Sequence, residues 1–250
     1  MLEKNKLVER GISSFTLHIL AMVIMLGDHI WGTTGIQTLW LTTIGRMAFP
    51  IFAFLLVEGF YHTHDRKKYI KRILLFAVIS EVPFDWMYNG FVFYPFHQNV
   101  LWNFGISLVC LQLMESIRAE ENWIKTYLSM PVIILLGYIV ATITFTDYHG
   151  AGILTVMVFY LCRGNSKINR FMQLIGLVYI NCFILKGLCF TVTIGSFSWD
   201  IPYQGFAILS LIPIWLYKGR QGPYNRVIKE IYYWFYPVHA FILGLITTLS

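Results

Sequence analysis

Residues 25–31 read Met-Leu-Gly-Asp-His-Ile-Trp and lie near the end of the first long apolar segment of the chain. Asp28 and His29 have uncharged stretches on both sides, although the apolar segment also holds His18. An Asp in hydrocarbon costs at least ~2.5 kcal/mol on insertion scales, so ionisable groups in such a segment indicate a functional site. The alternative is that both side chains mark the membrane interface and are hydrated there.

The composition predicts an all-α polytopic membrane protein. Apolar residues make up 57% of the chain and charged residues 13%, whereas a soluble domain has roughly a quarter charged residues. Runs of ~20 apolar residues are long enough to cross the hydrocarbon core as helices. Barrel strands would alternate in polarity, and these runs do not. We therefore expect a transmembrane helical bundle.

The apolar runs predict about nine spans in a single domain, 1–250. Their approximate bounds are 13–31, 44–61, 70–87, 99–116, 127–145, 150–163, 170–190, 204–217 and 231–249. The sixth and eighth are short, about 21 Å at 1.5 Å per residue. These two are either tilted spans in a thinned bilayer or partial spans that line a cavity.

Basic residues fall in every second connection between the predicted spans. They are Lys4, Lys6, Arg10, Arg66, Lys67, Lys68, Lys71, Arg72, Arg118, Lys125, Arg163, Lys167, Arg170, Lys218, Arg220, Arg226 and Lys229. The opposite connections, 32–43, 88–98, 146–149 and 191–203, contain no Lys or Arg. The positive-inside rule makes the basic side cytoplasmic, with the N-terminus inside and the C-terminus outside. This distribution explains the net charge of +6 without a nucleic-acid partner.

Two basic residues break the alternation, namely Arg46 at the outer start of the second span and Lys186 near the outer end of the seventh. Asp28, Glu81 and Asp85 are the acids at the same depth. Glu81 and Asp85 are four residues apart and share one helix face. We expect these five side chains to form a balanced polar group, or buried ion pairs that only fix the helix register.

His29 is the best candidate for chemistry, because a neutral imidazole can take a proton from an attacking hydroxyl or amine. A carboxylate could hold its ring in the required tautomer. Asp28 points ~100° away from His29 on a helix. We therefore expect Glu81 or Asp85 to orient His29, while Asp28 pairs with Arg46.

Further along the chain, Tyr236 and His239 could line a cavity or contact a carrier from the cytoplasmic side; interhelical hydrogen bonding is an equal alternative. A basic segment could hold the phosphates of a cytoplasmic cofactor, although such runs also bind anionic lipids. Its residues are Arg66, Lys67, Lys68, Lys71 and Arg72. His62 and His64 have no supporting ligand cluster, so no metal site is expected.

Several motifs in order along the chain resemble the TraX family of integral membrane proteins. They are Leu26-Gly27-Asp28-His29-Ile30, Arg46-Met47-Ala48-Phe49-Pro50, Glu58-Gly59-Phe60, Arg66-Lys67-Lys68-Tyr69, Ser80-Glu81-Val82-Pro83-Phe84-Asp85, Gln98-Asn99-Val100, Asp147-Tyr148, Gln204-Gly205-Phe206-Ala207, Tyr217-Lys218-Gly219 and Phe235-Tyr236-Pro237-Val238-His239. The resemblance covers nearly the whole chain. It implies a multi-pass protein of the bacterial cytoplasmic (inner) membrane.

The founding member of that family is tied to amino-terminal acetylation of F-type pilin, and the family looks distantly related to multi-span acyltransferases. The resemblance implies that acetyl-CoA supplies an acetyl group from the cytoplasm to an exported peptide, glycan or lipid acceptor. His29 would be the base or acetyl relay, and Asp28, Arg46, Glu81 and Asp85 would shape its site. A proton-coupled transporter and a non-catalytic assembly factor are the alternatives.

Overall fold

The computed structural model describes residues 11–36 and 38–249, which are predominantly helical. The predicted cytoplasmic residues Lys4, Lys6 and Arg10 lie outside this part of the chain. The helices are α1 (Ser14–Thr33), α2 (Leu39–Gly45), α3 (Ala48–His62), α4 (Arg66–Asn89), α5 (Val100–Arg118), α6 (Trp123–Ile143), α7 (His149–Leu161), α8 (Lys167–Tyr179), α9 (Leu211–Trp215) and α10 (Arg226–Leu249).

Within the described residues, five helical segments are long and apolar enough to cross a membrane. They are Ser14–Thr33, Leu39–His62, Val100–Arg118, Trp123–Ile143 and Lys167–Leu185. His149–Leu161 and Tyr203–Trp215 are shorter apolar helices, as the sixth and eighth predicted spans are. The all-α class therefore fits, while the number of nine spans stays a prediction.

Contacts between helix ends form two groups, one at each end of the bundle. At the predicted cytoplasmic end, Arg163 Nε donates to Glu58 Oε1 at 2.7 Å and the hydroxyl of Tyr160 donates to Glu115 Oε1 at 2.7 Å. At the other end, called the outer end below, the backbone N–H of Gln98 donates to the Phe145 carbonyl at 2.9 Å. The chain thus has two polar ends separated by an apolar layer.

The region between α8 and α9 departs from regular α-helix. A π-helical turn, Ile180–Leu185, leads to strand β1 (Cys189–Ile194), which pairs antiparallel with β2 (Phe197–Pro202). A 3-10 helix, Tyr203–Ser210, then continues into α9. The hairpin occupies the end of the seventh predicted span and the connection 191–203, for which the sequence predicted no strand.

Helix α3 lies at the centre of the bundle because it is apolar on nearly every face. Ile51, Ala53 and Phe60 are completely buried, and α3 contacts α1, α5 and α7. The break between α2 and α3 falls at Arg46 and Met47, so Arg46 stands at the start of the central helix. This position determines where the polar group forms.

Asn103 on α5 holds the loop before α7. Its side-chain amide donates to the carbonyl oxygens of His149 at 2.7 Å and Asp147 at 3.2 Å, and to Thr146 Oγ1 at 3.2 Å. Tyr148 and His149 have positive φ angles of 64° and 46°. Such angles are costly for residues with side chains, so surrounding contacts must impose them.

We predict that Asn103→Ala lowers the free energy of unfolding by about 2–3 kcal/mol, because buried acceptors lose their donor. Ser107→Ala is the matched control, since Ser107 lies one turn along the same helix and is also fully buried. Its hydroxyl has no hydrogen-bond partner among the described residues. Thermal unfolding in detergent measures both; equal melting temperatures would contradict this role of Asn103.

Candidate functional site

A cavity of about 260 Å³ lies at the outer end of the bundle. Its polar lining residues come from α1, the α2–α3 break, α4 and the loop before α7. They are Asp28, His29, Arg46, Tyr88, Asp147 and Tyr148. Aromatic residues, including Trp31, Phe49, Phe52 and Phe104, complete the wall. The stretch Met25–Trp31 therefore contributes Met25, Asp28, His29 and Trp31 to the wall of this cavity.

Asp28 and Arg46 form the ion pair that the sequence predicted. Arg46 Nη2 donates to Asp28 Oδ1 at 3.0 Å, and both side chains are largely buried. The guanidinium also donates to Thr42 Oγ1, one helical turn before Arg46. Thr42 and Asp28 therefore fix the cation at the cavity wall, where it can bind an anionic or carbonyl oxygen.

His29 pairs with His239 on α10. The two rings meet through His29 Nδ1 and His239 Nε2, 2.7 Å apart, and His239 Nδ1 lies 2.7 Å from the Phe235 carbonyl oxygen. A carbonyl can only accept, so His239 Nδ1 donates and its Nε2, in the neutral ring, accepts from His29 Nδ1. A neutral His29 then carries its lone pair on Nε2, the atom that can act as a base.

This geometry corrects the prediction that Glu81 or Asp85 orients His29. Glu81 accepts a hydrogen bond from Trp102 Nε1 at 2.7 Å and another from the Asn99 amide. Asp85 is fully buried and accepts from the backbone N–H of Tyr94 at 2.7 Å. Both carboxylates thus anchor the chain between α4 and α5 beside the site, and neither is among the residues lining the cavity.

Of the alternatives expected for Tyr236 and His239, the interhelical hydrogen bond is present at His239, whose partner is His29. The Tyr236 ring packs edge-on against both histidines, with ring centroids 6.1 Å from His29 and 5.5 Å from His239. Its hydroxyl is buried with no hydrogen-bond partner among the described residues. Tyr236 is not among the residues that line the cavity.

Tyr88, Asp147 and Tyr148 line the cavity, although no sequence pattern predicts a chemical role for them. Tyr88 packs edge-on against His29, with ring centroids 5.7 Å apart. Tyr148 stacks on Phe49, with ring centroids 3.9 Å apart. The one sequence feature that could have indicated Asp147 and Tyr148 is their place in a connection without basic residues. No motif of known chemistry marks them as parts of a site.

His97 and Asp147 form a second charged pair next to the cavity. His97 Nε2 lies 3.8 Å from Asp147 Oδ1, and both side chains are about one-third exposed. The nearby Asp147 carboxylate raises the pKa of His97, and burial opposes this only in part. The pair joins the chain after α4 to the loop before α7.

The basic segment lies at the opposite end of the bundle. Arg66 Nη1 is 3.9 Å from Glu115 Oε2, and the Arg72 guanidinium lies 5.1 Å from the Tyr233 ring centroid. Lys67, Lys68 and Lys71 are exposed. Arg72 and Tyr88 are about 24 Å apart along α4 at 1.5 Å per residue. The structure therefore does not bring these cations to His29.

Lys186 does not join the polar group that the sequence predicted. It is exposed, with a φ of 45°, at the end of the π-helical turn, and it is not a residue of the cavity wall. Arg46 is the basic residue that lies in the polar group at the cavity.

Between residues 11 and 249, leaving out residue 37, no three His, Cys, Asp or Glu side chains are close enough together to hold a metal ion.

We predict that Asp28→Asn and Arg46→Gln each lower the free energy of unfolding by about 2–3 kcal/mol, since each leaves a buried charge unpaired. The double variant should lose less than the sum of the two, which a double-mutant cycle measures. The exposed pair Asp65 and Lys68, 3.3 Å apart, is the control and should show negligible coupling. Additive losses at Asp28 and Arg46 would contradict the pairing.

We predict that the His97–Asp147 pair stabilises the protein at acidic pH. Because the native pKa of His97 is raised above 6.5, its contribution is full below about pH 6.5 and is lost as the pH rises through the native pKa. His97→Gln should therefore lower the melting temperature more at low pH than at high pH. The exposed His64→Gln is the control; a pH-independent effect of His97→Gln would refute the pair.

Comparison with known proteins identifies the family. A profile described as TraX protein matches residues 13–247. A probable fimbrial assembly protein FimC, serogroup H1, of Dichelobacter nodosus is 26% identical over 243 residues, which cover 92% of this chain and 94% of that protein. Protein TraX of Escherichia coli (strain K12) is 30% identical over 155 residues, or 60% of this chain and 57% of that protein. No solved structure matches. The chain belongs to the TraX family of membrane proteins.

Proposed function

We propose that this protein is a membrane acetyltransferase in which His29 is the general base. The observation that carries the proposal is the hydrogen-bonded series from the Phe235 carbonyl through His239 to His29 Nδ1. It leaves the Nε2 lone pair of a neutral His29 for proton transfer. His239 takes the orienting position that a carboxylate occupies in a catalytic triad.

In the proposed reaction the acceptor hydroxyl or amine gives its proton to His29 Nε2 as its oxygen or nitrogen attacks the acetyl carbonyl carbon. The carbon–sulfur bond of the thioester breaks, and the thiolate receives that proton from His29. A step through acetyl-histidine would give the same products. Both routes require the acceptor and the acetyl group to meet in the cavity.

Arg46 is the proposed stabiliser of the negative charge that develops on the acetyl oxygen. It lies in the cavity wall, and Asp28 and Thr42 hold its guanidinium before substrate arrives. A preorganised donor of this kind contributes about 2.7–4 kcal/mol in known oxyanion sites. Tyr88 and Tyr148 add phenol groups to the same wall.

Acetyl-CoA is the proposed donor, and two groups of residues fit its chemistry. The exposed lysines Lys67, Lys68 and Lys71 suit phosphate groups at the cytoplasmic end. Near His29, the phenol groups of Tyr88 and Tyr148 in the cavity wall suit an amide or carbonyl. Because these groups lie at opposite ends of the bundle, the proposal requires the acyl arm to reach along the helices from the cytoplasmic end to the cavity.

The acceptor in this proposal approaches from the outer face of the bacterial cytoplasmic (inner) membrane. The cavity, about 260 Å³, is smaller than the roughly 300–1,000 Å³ of pockets that enclose a drug-sized ligand. It accommodates an acetyl group and the reacting end of an acceptor. An exported peptide terminus, a sugar hydroxyl and a lipid head group all satisfy this condition.

A second candidate function is a non-catalytic assembly factor for an exported polymer, which the similarity to a probable fimbrial assembly protein favours. Such a factor would keep its activity when His29 is replaced. A proton-coupled transporter would also use buried histidines and carboxylates. It would move protons across vesicles without releasing CoA.

We predict that the purified protein in lipid nanodiscs transfers radiolabel from acetyl-CoA to an acceptor, and that His29→Ala lowers the rate at least about 100-fold. His239→Phe should lower kcat more than KM, because it removes the group that orients the base. His18→Gln is the matched control, since His18 lies on the same helix but stacks on Tyr232, with ring centroids 4.1 Å apart.

Three outcomes of these assays decide whether the acetyltransferase proposal holds. Labelled product and CoA release that depend on His29 support the acetyltransferase. Equal transfer by wild type and His29→Ala would refute His29 as the base. If the wild-type protein binds no CoA, hydrolyses no acetyl-CoA and labels no peptide, glycan or lipid, the enzyme proposal fails.

A further inference from the structure

The hairpin of strands β1 and β2 has one apolar face. Its register pairs Phe190 with Ile201 and Val192 with Trp199, so these side chains lie next to one another on the same side. Phe197 follows at the tip and stacks on Trp199, with ring centroids 5.9 Å apart. Apolar residues thus alternate with polar ones along both strands, which is typical of a strand pair whose two faces lie in different environments.

The opposite face of the hairpin is polar. Thr191 Oγ1 donates to Asp200 Oδ1 at 2.8 Å across the two strands. The hydroxyl groups of Thr193 and Ser198 are 3.0 Å apart in the neighbouring pair. The hairpin is therefore amphipathic, with hydrogen-bonded side chains on one face and aromatic side chains on the other.

Near the tip of the hairpin the apolar face is not covered by the rest of the described chain, whereas Phe190 packs against Tyr203 and Phe206. Phe197 is 66% exposed and Trp199 is 52% exposed. The exposed apolar surface continues towards the preceding helix: Phe183 in that helix is 70% exposed, and Leu188, between the helix and β1, is 67% exposed. That helix, Lys167–Leu185, is one of the segments able to cross a membrane. The hairpin thus extends the lipid-facing surface of the bundle at its outer end.

We propose that this hairpin lies in the interface of the outer leaflet, with its apolar face against the lipid acyl chains and its polar face towards water. Trp side chains favour this depth, where the ring is apolar and the indole N–H is hydrated. A two-stranded hairpin also has open backbone edges, which need water or head groups as partners. It therefore lies at the interface and not in the hydrocarbon core.

In this proposal the hairpin inserts because of its apolar face, and its insertion does not depend on the charge of the lipid head groups. Residues 187–217 contain no Lys or Arg, and the hairpin carries Asp200 as its one charged side chain. Electrostatic attraction to anionic lipids would need basic residues on the polar face. We therefore expect the same insertion in neutral and in anionic bilayers.

Site-directed spin labelling tests this proposal on the full-length protein in phosphatidylcholine vesicles. The four cysteines, Cys110, Cys162, Cys182 and Cys189, are first replaced by Ala. Nitroxides are then attached after Phe197→Cys, Ser198→Cys, Trp199→Cys and Asp200→Cys. We expect high collision rates with O2 at 197 and 199, and high rates with a water-soluble nickel chelate at 198 and 200. The pattern should be unchanged with phosphatidylglycerol present.

Two results would overturn the proposal. Equal access of the nickel chelate to all four positions would put the hairpin in water. Low access of both reagents at 197 and 199 would show a protein partner or a second copy on that face. The oligomeric state of each labelled variant identifies the second copy.

A separate measurement avoids the cysteine replacements, since Cys110 is buried and its loss could impair folding. The fluorescence of the wild-type protein is quenched with lipids brominated near the head group and compared with that of Trp199→Phe. We expect Trp199→Phe to lower the fraction quenched by these lipids. An unchanged fraction would contradict the interfacial position of the hairpin.

Discussion

Ionisable side chains buried in an apolar bundle need partners from other helices, and this constraint organises the outer end of the molecule. Asp28 reaches Arg46 across the break between α2 and α3. Gly45 permits that approach, because a Cβ at this position would lie 2.7 Å from Asp28 Cγ. His29 finds His239 on the last helix of the fold. The same contacts thus hold α1, α2 and α10 together and position the groups that we propose for chemistry.

The helical class and the Asp28–Arg46 pair could be predicted from the sequence for related reasons. Long uncharged runs leave helices as the satisfied backbone structure in a membrane. The alternation of basic connections then gives each charged residue a depth, and Asp28 and Arg46 share one. Depth in the membrane does not distinguish between several possible partners of one residue. It therefore favours Glu81 or Asp85 as the residue that orients His29, whereas His239 is the partner in the structure.

Two other features could not be predicted because they depend on long-range packing. The loop before α7 holds Tyr148 and His149 at positive φ, a conformation that Asn103 imposes from another helix. Tyr and His rarely adopt a positive φ, so the local sequence does not indicate this conformation. The hairpin between α8 and α9 follows an apolar helix so closely that its alternating pattern merges with the end of that run. Cys189 and Phe190 belong to both the predicted span and the first strand.

For His29 to act as the proposed base, its ring must be neutral with the lone pair on Nε2, and the hydrogen bond from its Nδ1–H to His239 favours that form. Solid-state NMR of histidine-labelled protein in lipid bilayers tests this claim directly, with His29→Gln identifying the signals of that ring. We expect a protonated Nδ1 and an unprotonated Nε2 on His29 at neutral pH. A protonated Nε2 on His29, in either a neutral ring or an imidazolium, would contradict it.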